Sequence, residues 1–376
     1  MNQHVLIVCD TFKESLGAKE VAQAIACGIH QIDQTTTCTL MPFSDGGEGA
    51  LEVLINNAVG YKVKAETADA LGRPISAEYV KFKHKPAAWI ELSQASGLHL
   101  IEPQKRDPKI TSTFGTGVLI KQAIAQGAEE IILGIGGSAT NDAGTGIIKA
   151  LGGQFLNTQG HAVPEGGAGL GSLAQIILPE ELRSIKWKVA CDVTNPLLGP
   201  NGASYTYGPQ KGASDKDLEI LESAFAHFAQ LVHKSTGNSI EQVKGGGAAG
   251  GTAAGLFGLL NAELISGFDL LGAMTGLEEK IKDCDYVFTA EGRIDAQSIH
   301  GKVPVAVAQM AKKFNKPVVG IAGSIQGPFD RHHALGLTSL FSIQNGPMDL
   351  DESKDKSAEL IQDTASRIWR LIQHNL

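Results

Sequence analysis

Gly134-Ile135-Gly136-Gly137-Ser138-Ala139-Thr140-Asn141-Asp142-Ala143-Gly144-Thr145-Gly146 is the stretch around which the chain is organised. The apolar run Ile131-Ile132-Leu133 leads into it, and a small-residue helical stretch from Ala143 to Leu151 leads out. Strand, glycine turn and helix in that order are the signature of an α/β unit. Residues without side chains let backbone approach a ligand, and free N–H groups at a helix start attract an anion. The stretch therefore reads either as a phosphate or carboxylate cradle or as a tight strand-to-helix turn with an Asn or Asp cap.

Outward from it the same arrangement recurs. Val5–Cys9 is a short continuous apolar run that predicts a strand buried on both faces, and Cys38–Met41, Trp187–Cys191, Asp285–Ala290 and Pro317–Ile321 predict further strands. Each is followed at once by polar or charged residues: Asp10 and Lys13, Ser44, Asp45 and Glu48, Asp192 and Asn195, Glu291, Arg293 and Asp295, and Ser324. The carboxyl ends of parallel strands are where open α/β sheets bind ligands. Helices are expected over about 18–30, 50–57, 111–126, 215–234, 302–314 and 357–372. Tyr61–Ala65, Glu78–Lys83 and Ala88–Leu92 predict shorter strands, with a turn at Asp69–Pro74. Gly160–Gly171 is expected as a surface loop, and Lys244–Gly251 as a loop pressed on a ligand or a neighbouring helix.

Composition narrows the class. The 376 residues suggest two domains, 43% apolar residues are ample for large cores, and the 45 glycines are about 12% against a usual ~7%. A net charge of −8 argues against nucleic acid as the main partner, because phosphate backbones are met by clustered Lys and Arg. Five cysteines without C-x-x-C spacing predict reduced thiols. No run reaches ~18 apolar residues, so no membrane is expected, and the chain is expected to be soluble and cytoplasmic.

The chemistry follows from the loop residues. Several carboxylates with Lys and Arg suit a magnesium–nucleotide and a small anionic substrate. The Walker pattern G-x-x-x-x-G-K-[ST] is absent. Gly134-x-Gly136-x-x-Ala139 matches a relaxed dinucleotide fingerprint, but no acidic residue follows about 20 positions on to hold a ribose. A nicotinamide-dependent dehydrogenase of a small hydroxy acid is thus the second reading. His332-His333 is expected at the surface.

Asp10-x-Phe12-Lys13-Glu14-Ser15, Ser44–Gly49, Gly134–Gly146, Cys191–Leu197, Pro209-Gln210-Lys211-Gly212-Ala213 and Thr289–Asp295 resemble, in order, the motifs of the type 1 bacterial glycerate kinase family. Ala50 and Thr11 depart mildly, standing where that family often has Thr and Ser. The resemblance implies ATP-dependent, Mg²⁺-dependent phosphorylation of D-glycerate, usually to 2-phosphoglycerate, with glycerate 3-kinase activity as the alternative. It also implies two α/β domains, one discontinuous (1–66 plus 284–376) and one inserted (67–283), with the site in the cleft between them. A homo-oligomer is compatible with it.

Phosphoryl transfer needs an oriented hydroxyl, a proton acceptor and cations on the transferring group. Asp192 or Asp295 is the expected base, with Lys13 and Arg293 on the substrate carboxylate or the transferring phosphate. Asp10, Ser44, Asp45, Glu48, Asp69, Arg73, Asn195 and Glu291 are expected on the substrate side. Gly136, Gly137, Ser138, Asn141, Lys211 and Lys302 are expected toward the nucleotide, and Asp142 as a magnesium-shell ligand or a cap.

Overall fold

The computed structural model describes residues 3–12, 14–44, 49–295 and 302–374. Its strands, in chain order, are β1 (His4–Cys9), β2 (Thr37–Pro42), β3 (Gly60–Ala68), β4 (Pro74–Phe82), β5 (Ala87–Glu91), β6 (Glu130–Gly134), β7 (Gln154–Leu156), β8 (Gln175–Ile177), β9 (Lys186–Ala190), β10 (Glu263–Ile265), β11 (Tyr286–Ile294), β12 (Val318–Ile325) and β13 (Ser339–Ser342). They gather into two compact units.

The first unit comprises Met1–Asp45, Glu52–Asn57 and Phe268–Leu376. Its five-stranded sheet has the order β13-β12-β11-β1-β2, with every pair parallel. Parallel strands need helices on their faces, which is why Val5 to Cys9 are all buried and can all be apolar. The helices Ala18–Ile32 and Ser357–His374 bury Val21, Ile25, Ile29, Leu360, Ile361 and Trp369 in a core with Val5, Ile7 and Phe288. Each fully buried aliphatic side chain contributes roughly 1.5–3 kcal/mol.

The second unit comprises Gly46–Leu51 and Ala58–Gly267. Its six-stranded sheet runs β10-β9-β6-β5-β4-β3. The four strands β10, β9, β6 and β5 are parallel, and β4 and β3 extend the edge antiparallel. Its core joins Tyr79, Ile90, Leu119, Ile131, Leu133, Trp187, Phe225 and Phe228. The helix Asp215–Thr236 starts at a capping box in which the Ser214 side chain accepts from the Asp217 N–H.

These unit limits precede the 66/67 and 283/284 junctions expected from the sequence. β3 pairs with β4 along its whole length, from Gly60↔Phe82 to Ala68↔Pro74, and so belongs entirely to the second sheet.

Other differences have local causes. β11 does not stop at Ala290. It continues through Glu291, Gly292 and Arg293, because Glu291 pairs with Ala322 and Arg293 with Ser324. Gly160–Gly171 is not wholly a surface loop: Gly167 and Leu170 are buried in a short 3₁₀ turn over the helix Asp215–Thr236, with Gly167 against Leu221. All five cysteines are free, and burial pushes the Cys9 thiol up. No helix among the described residues is long and apolar enough to cross a membrane.

Candidate functional site

In the second unit, register places Glu91 beside Gly134 and Gly134 beside Ala190. The loops that leave β5, β6 and β9 therefore emerge side by side at one sheet end. Asp192 is exposed there, and both its oxygens accept from the Gly267 N–H, at 3.0 and 3.1 Å. Asn195 is absorbed into its own loop: its amide N donates to the Asn201 carbonyl at 2.8 Å and its Oδ1 accepts from Tyr207 Oη–H at 2.9 Å.

Glu91, which sequence reasoning passed over, closes β5 as a buried carboxylate whose Oε1 accepts from the Leu51 N–H at 2.6 Å. The visible signal was an acid ending the apolar run Ala87–Ile90.

The segment Gly134–Gly146 is more elaborate than a strand-to-helix turn. After β6 the chain turns at Gly136 and Gly137, the latter exposed with φ +66°. It then bridges Gly97 through Ser138, with Leu98 N donating to Gly137 O and Ala139 N to Ser96 O. The helix begins only at Thr145, after Ala143 (φ 52°) and Gly144 (φ 73°). Asn141 and Asp142 thus precede the helix and lie wholly buried.

Asp142 is fully engaged. Its Oδ2 accepts from Thr113 N and Thr113 Oγ1, both at 2.8 Å, and from Gly146 N at 3.2 Å; its Oδ1 accepts from Gly144 N at 3.1 Å. Burial pushes its carboxyl up despite these donors. Asp142, expected as a magnesium-shell ligand or a cap, thus ties Thr113 to the turn before the helix.

Lys211, expected toward the nucleotide, points inward. It is neither a surface lysine nor open to a phosphate, being 1% exposed. Its ammonium donates to Ser138 Oγ at 2.9 Å, Thr140 O at 2.7 Å and Asn141 Oδ1 at 3.0 Å. An ammonium has three N–H donors, and all are spent. Burial pulls its pKa down to about 7, opposed by the charge of Asp142.

Lys211 therefore holds the loop whose exposed turn is Gly136–Gly137, while the Ser138 hydroxyl and Asn141 Oδ1 face inward. The expected loop Lys244–Gly251 presses on the same segment. A Cβ on Gly250 (φ +60°) would stand 1.9 Å from the Thr140 carbonyl oxygen.

Asp69 and Arg73 serve their own turn rather than an open site. Asp69 Oδ1 accepts from Leu71 N and Arg73 N at 2.9 Å, and its Oδ2 pairs with Arg73 Nε at 2.5 Å. The same guanidinium donates to Leu100 O at 2.8 Å and pairs with Glu102 at 3.3 Å.

In the first unit, Asp10 follows β1 and Ser44 follows β2, with Asp10 N donating to Ala290 O and Phe43 N to Cys9 O. Asp10, just past the end of β1, and Glu291, in the neighbouring β11, each lie one residue beyond the paired Cys9 and Ala290. Lys302 Nζ pairs with Glu291 Oε1 and donates to Arg293 O at 3.2 Å. Arg293 is exposed, with Nε 3.1 Å from Asp295 Oδ2 and a terminal N–H on Gln326 Oε1 at 2.8 Å. His332, expected at the surface, is instead 1% exposed and hydrogen-bonded to Asp295 O at 3.0 Å. Lys13, Asp45 and Glu48 lie outside the described residues.

Each unit thus gathers carboxylates at the carboxyl ends of parallel strands, and the first sets lysine and arginine among them. That is an α/β protein whose ionisable groups collect where open parallel sheets bind ligands. A sequence profile of the glycerate kinase family matches residues 5–373. The chain is 44% identical over 352 residues to the glycerate 2-kinase of Escherichia coli K12, covering 93% of this chain and 92% of that one. It is 42% identical over 367 residues to the glycerate kinase of Bacillus subtilis 168, covering 97% and 96%.

A crystal structure from Salmonella typhimurium LT2, assigned as a glycerate kinase 2, superposes with a TM-score of 0.90 at 39% identity, covering 100% and 99% of the two chains. The chain belongs to the glycerate kinase family, and is a phosphotransferase with a mixed α/β fold.

Proposed function

We propose that the protein transfers the γ-phosphoryl group of ATP to the 2-hydroxyl of D-glycerate, giving 2-phospho-D-glycerate and ADP, with Mg²⁺ as the metal. The observation that carries the choice of hydroxyl is the near full-length identity to a relative named a glycerate 2-kinase. The site chemistry agrees with phosphoryl transfer, in which positioning and charge stabilisation supply most of the catalysis.

In this reading Asp295 accepts the proton of the attacking hydroxyl, held in orientation by Arg293 at 3.1 Å. Arg293, exposed and fork-shaped, offers its remaining donors to the substrate carboxylate. Asp192 orients the substrate hydroxyls from the end of β9, with Glu91 at the end of β5. Lys302, at the start of the helix Val303–Lys312, faces the transferring phosphate from beside Glu291. Lys13 adds a second cation there, Asp45 and Glu48 add substrate contacts with Ser44, and the turn Gly136–Gly137 offers backbone to an anion.

Mg²⁺ takes one or two carboxylate oxygens and completes its shell with phosphate and water. Asp10 and Glu291, each one residue beyond the paired Cys9 and Ala290, are donors of that kind and would hold it, rather than Asp142, whose oxygens accept from Thr113, Gly144 and Gly146. When bound, the cation neutralises charge on the phosphates.

The product decides the regiochemistry. A 2-phosphate sits on a carbon with one hydrogen and a 3-phosphate on a carbon with two. The proton-coupled ³¹P spectrum of product made from D-glycerate, ATP and Mg²⁺ is therefore expected as a doublet. A triplet would establish the 3-kinase. Turnover that changes nicotinamide absorbance without releasing ADP would restore the dehydrogenase.

A further inference from the structure

Among the described residues, His332 is a histidine taken fully out of solvent, at 1% exposure. It lies in the short helix Asp330–Ala334, with the Phe329 ring 5.4 Å away and its own carbonyl accepting from Leu335 N and Leu337 N. The ring is thus fixed by its backbone and by packing. Its Nε2 is 3.0 Å from the Asp295 carbonyl oxygen. A carbonyl only accepts, so Nε2 carries a proton and donates it to Asp295 O, leaving Nδ1 as the ring nitrogen outside this bond. That buried Nδ1 has no partner among the described residues. A leucine would fill similar space without stranding a polar atom, so the imidazole is explained by the bond at its other end.

The bond falls where the sheet runs out. The last rung between β11 and β12 is Ile294↔Ile325, followed by Gln326 N donating to Ile294 O at 2.9 Å. Asp295 is the next residue, beyond the ladder. His332 takes its carbonyl in place of a strand partner, while Arg293 Nε holds its carboxylate at 3.1 Å.

We infer that His332 is a positioning residue for the reaction: it fixes the backbone of Asp295 and so aims the carboxylate that accepts the substrate proton. The inference rests on the assignment of Asp295 as that carboxylate. Small misplacement of a reacting group costs orders of magnitude in rate, which is why a backbone clamp matters there.

The amide nitrogen of glutamine reaches close to where Nε2 lies, and that of asparagine close to where Nδ1 lies. The full-length enzyme is compared as wild type, His332→Leu, His332→Asn, His332→Gln, Asp295→Asn and the double variant His332→Leu/Asp295→Asn, with thermal melts run alongside. His332→Leu and His332→Asn are expected to lower kcat about 10–100-fold, leaving KM for ATP within about threefold and the melt nearly unmoved. His332→Gln is expected to recover most of the loss. The double variant is expected to be no slower than Asp295→Asn alone, because the clamp has nothing left to aim.

If His332→Leu costs the same factor in the Asp295→Asn background as in wild type, the inference fails while Asp295 keeps its role. If Asp295→Asn turns over normally, Asp295 loses its role and the inference falls with it. Normal kcat in both folded His332→Leu and His332→Asn also overturns it.

Discussion

Lys211 shows what a residue type reveals and what it conceals. A lysine in Pro209-Gln210-Lys211-Gly212-Ala213 was recognisable as important, but its direction was not. The 3₁₀ turn Pro209–Lys211, closed by Gly212 at φ +95°, carries the side chain inward to Ser138, Thr140 and Asn141. Leaving a buried polar group unsatisfied costs roughly 1–3 kcal/mol, so Lys211→Met, which strands the oxygens of Ser138, Thr140 and Asn141, should lower stability to chemical denaturation by about that much. The pH dependence has a definite sign. The folded-state pKa is lowered to about 7 by burial, against roughly 10.4 in an unfolded chain. Between those values the unfolded state binds a proton that the folded state has released, so stability rises with pH. The gap between wild type and Lys211→Met should therefore widen from pH 7 to 9, by at most about 1.4 kcal/mol per pH unit. Denaturant titrations at the two pH values measure it; a constant gap would show that Lys211 keeps its proton throughout. Asp142 carries the same lesson, since beside Gly144 it looked like a cap or a ligand and only tertiary contact with Thr113 tells them apart.

Among elements, the apolar runs of β1 and β6 were legible because those strands are buried almost throughout, whereas the edge strand β2 is only partly buried and was marked only by its place before an acidic loop. The far end of β11 was not legible: Glu291 and Arg293 are polar, yet β12 still pairs with them. The helix Thr252–Leu260 also escaped notice. It is buried on nearly every side, so it has no polar face to give a helical period. Its Gly255 shows why small residues fill it: a Cβ there would stand 1.8 Å from the Ala143 carbonyl oxygen. Alanine normally gains about 1 kcal/mol over glycine inside a helix, whereas overpacking costs about 1–3 kcal/mol or more. Gly255→Ala should therefore lower the melting temperature and, by displacing Ala143 in the Gly134–Gly146 loop, reduce kcat/KM. Gly272→Ala is the internal comparison, since its added Cβ would meet only Leu277 side-chain atoms at 3.6 and 3.8 Å. It should melt no lower than wild type. Equal behaviour of the two variants would mean that the contact at Ala143 relaxes without cost.

For the whole molecule, the ordered motifs carried the family. The unit limits were harder to read. Antiparallel β3 and β4 look like a change of domain but continue a parallel sheet, and the Leu51 N–H bonded to Glu91 ties part of the acidic loop region to the second unit. The first unit is assembled from three chain segments, whereas nearly all of the second is the single stretch Ala58–Gly267. That stretch contains the buried cluster from Ala65 to Ala262, and a compact unit with its own core can in principle fold alone. A fragment of residues 58–267 should therefore give a cooperative thermal transition by circular dichroism. Trp89 and Trp187, 0% and 4% exposed, should show buried tryptophan emission that is lost in denaturant. The fragment should have no glycerate-dependent ADP release, because it lacks Asp10, Glu291, Arg293 and Asp295. A broad transition with solvent-exposed tryptophan emission would show that this core depends on the missing segments, foremost Gly46–Leu51, whose Leu51 N–H is the partner Glu91 would lose. Extending the fragment to include residues 46–57 would then restore the transition if that bond is the cause.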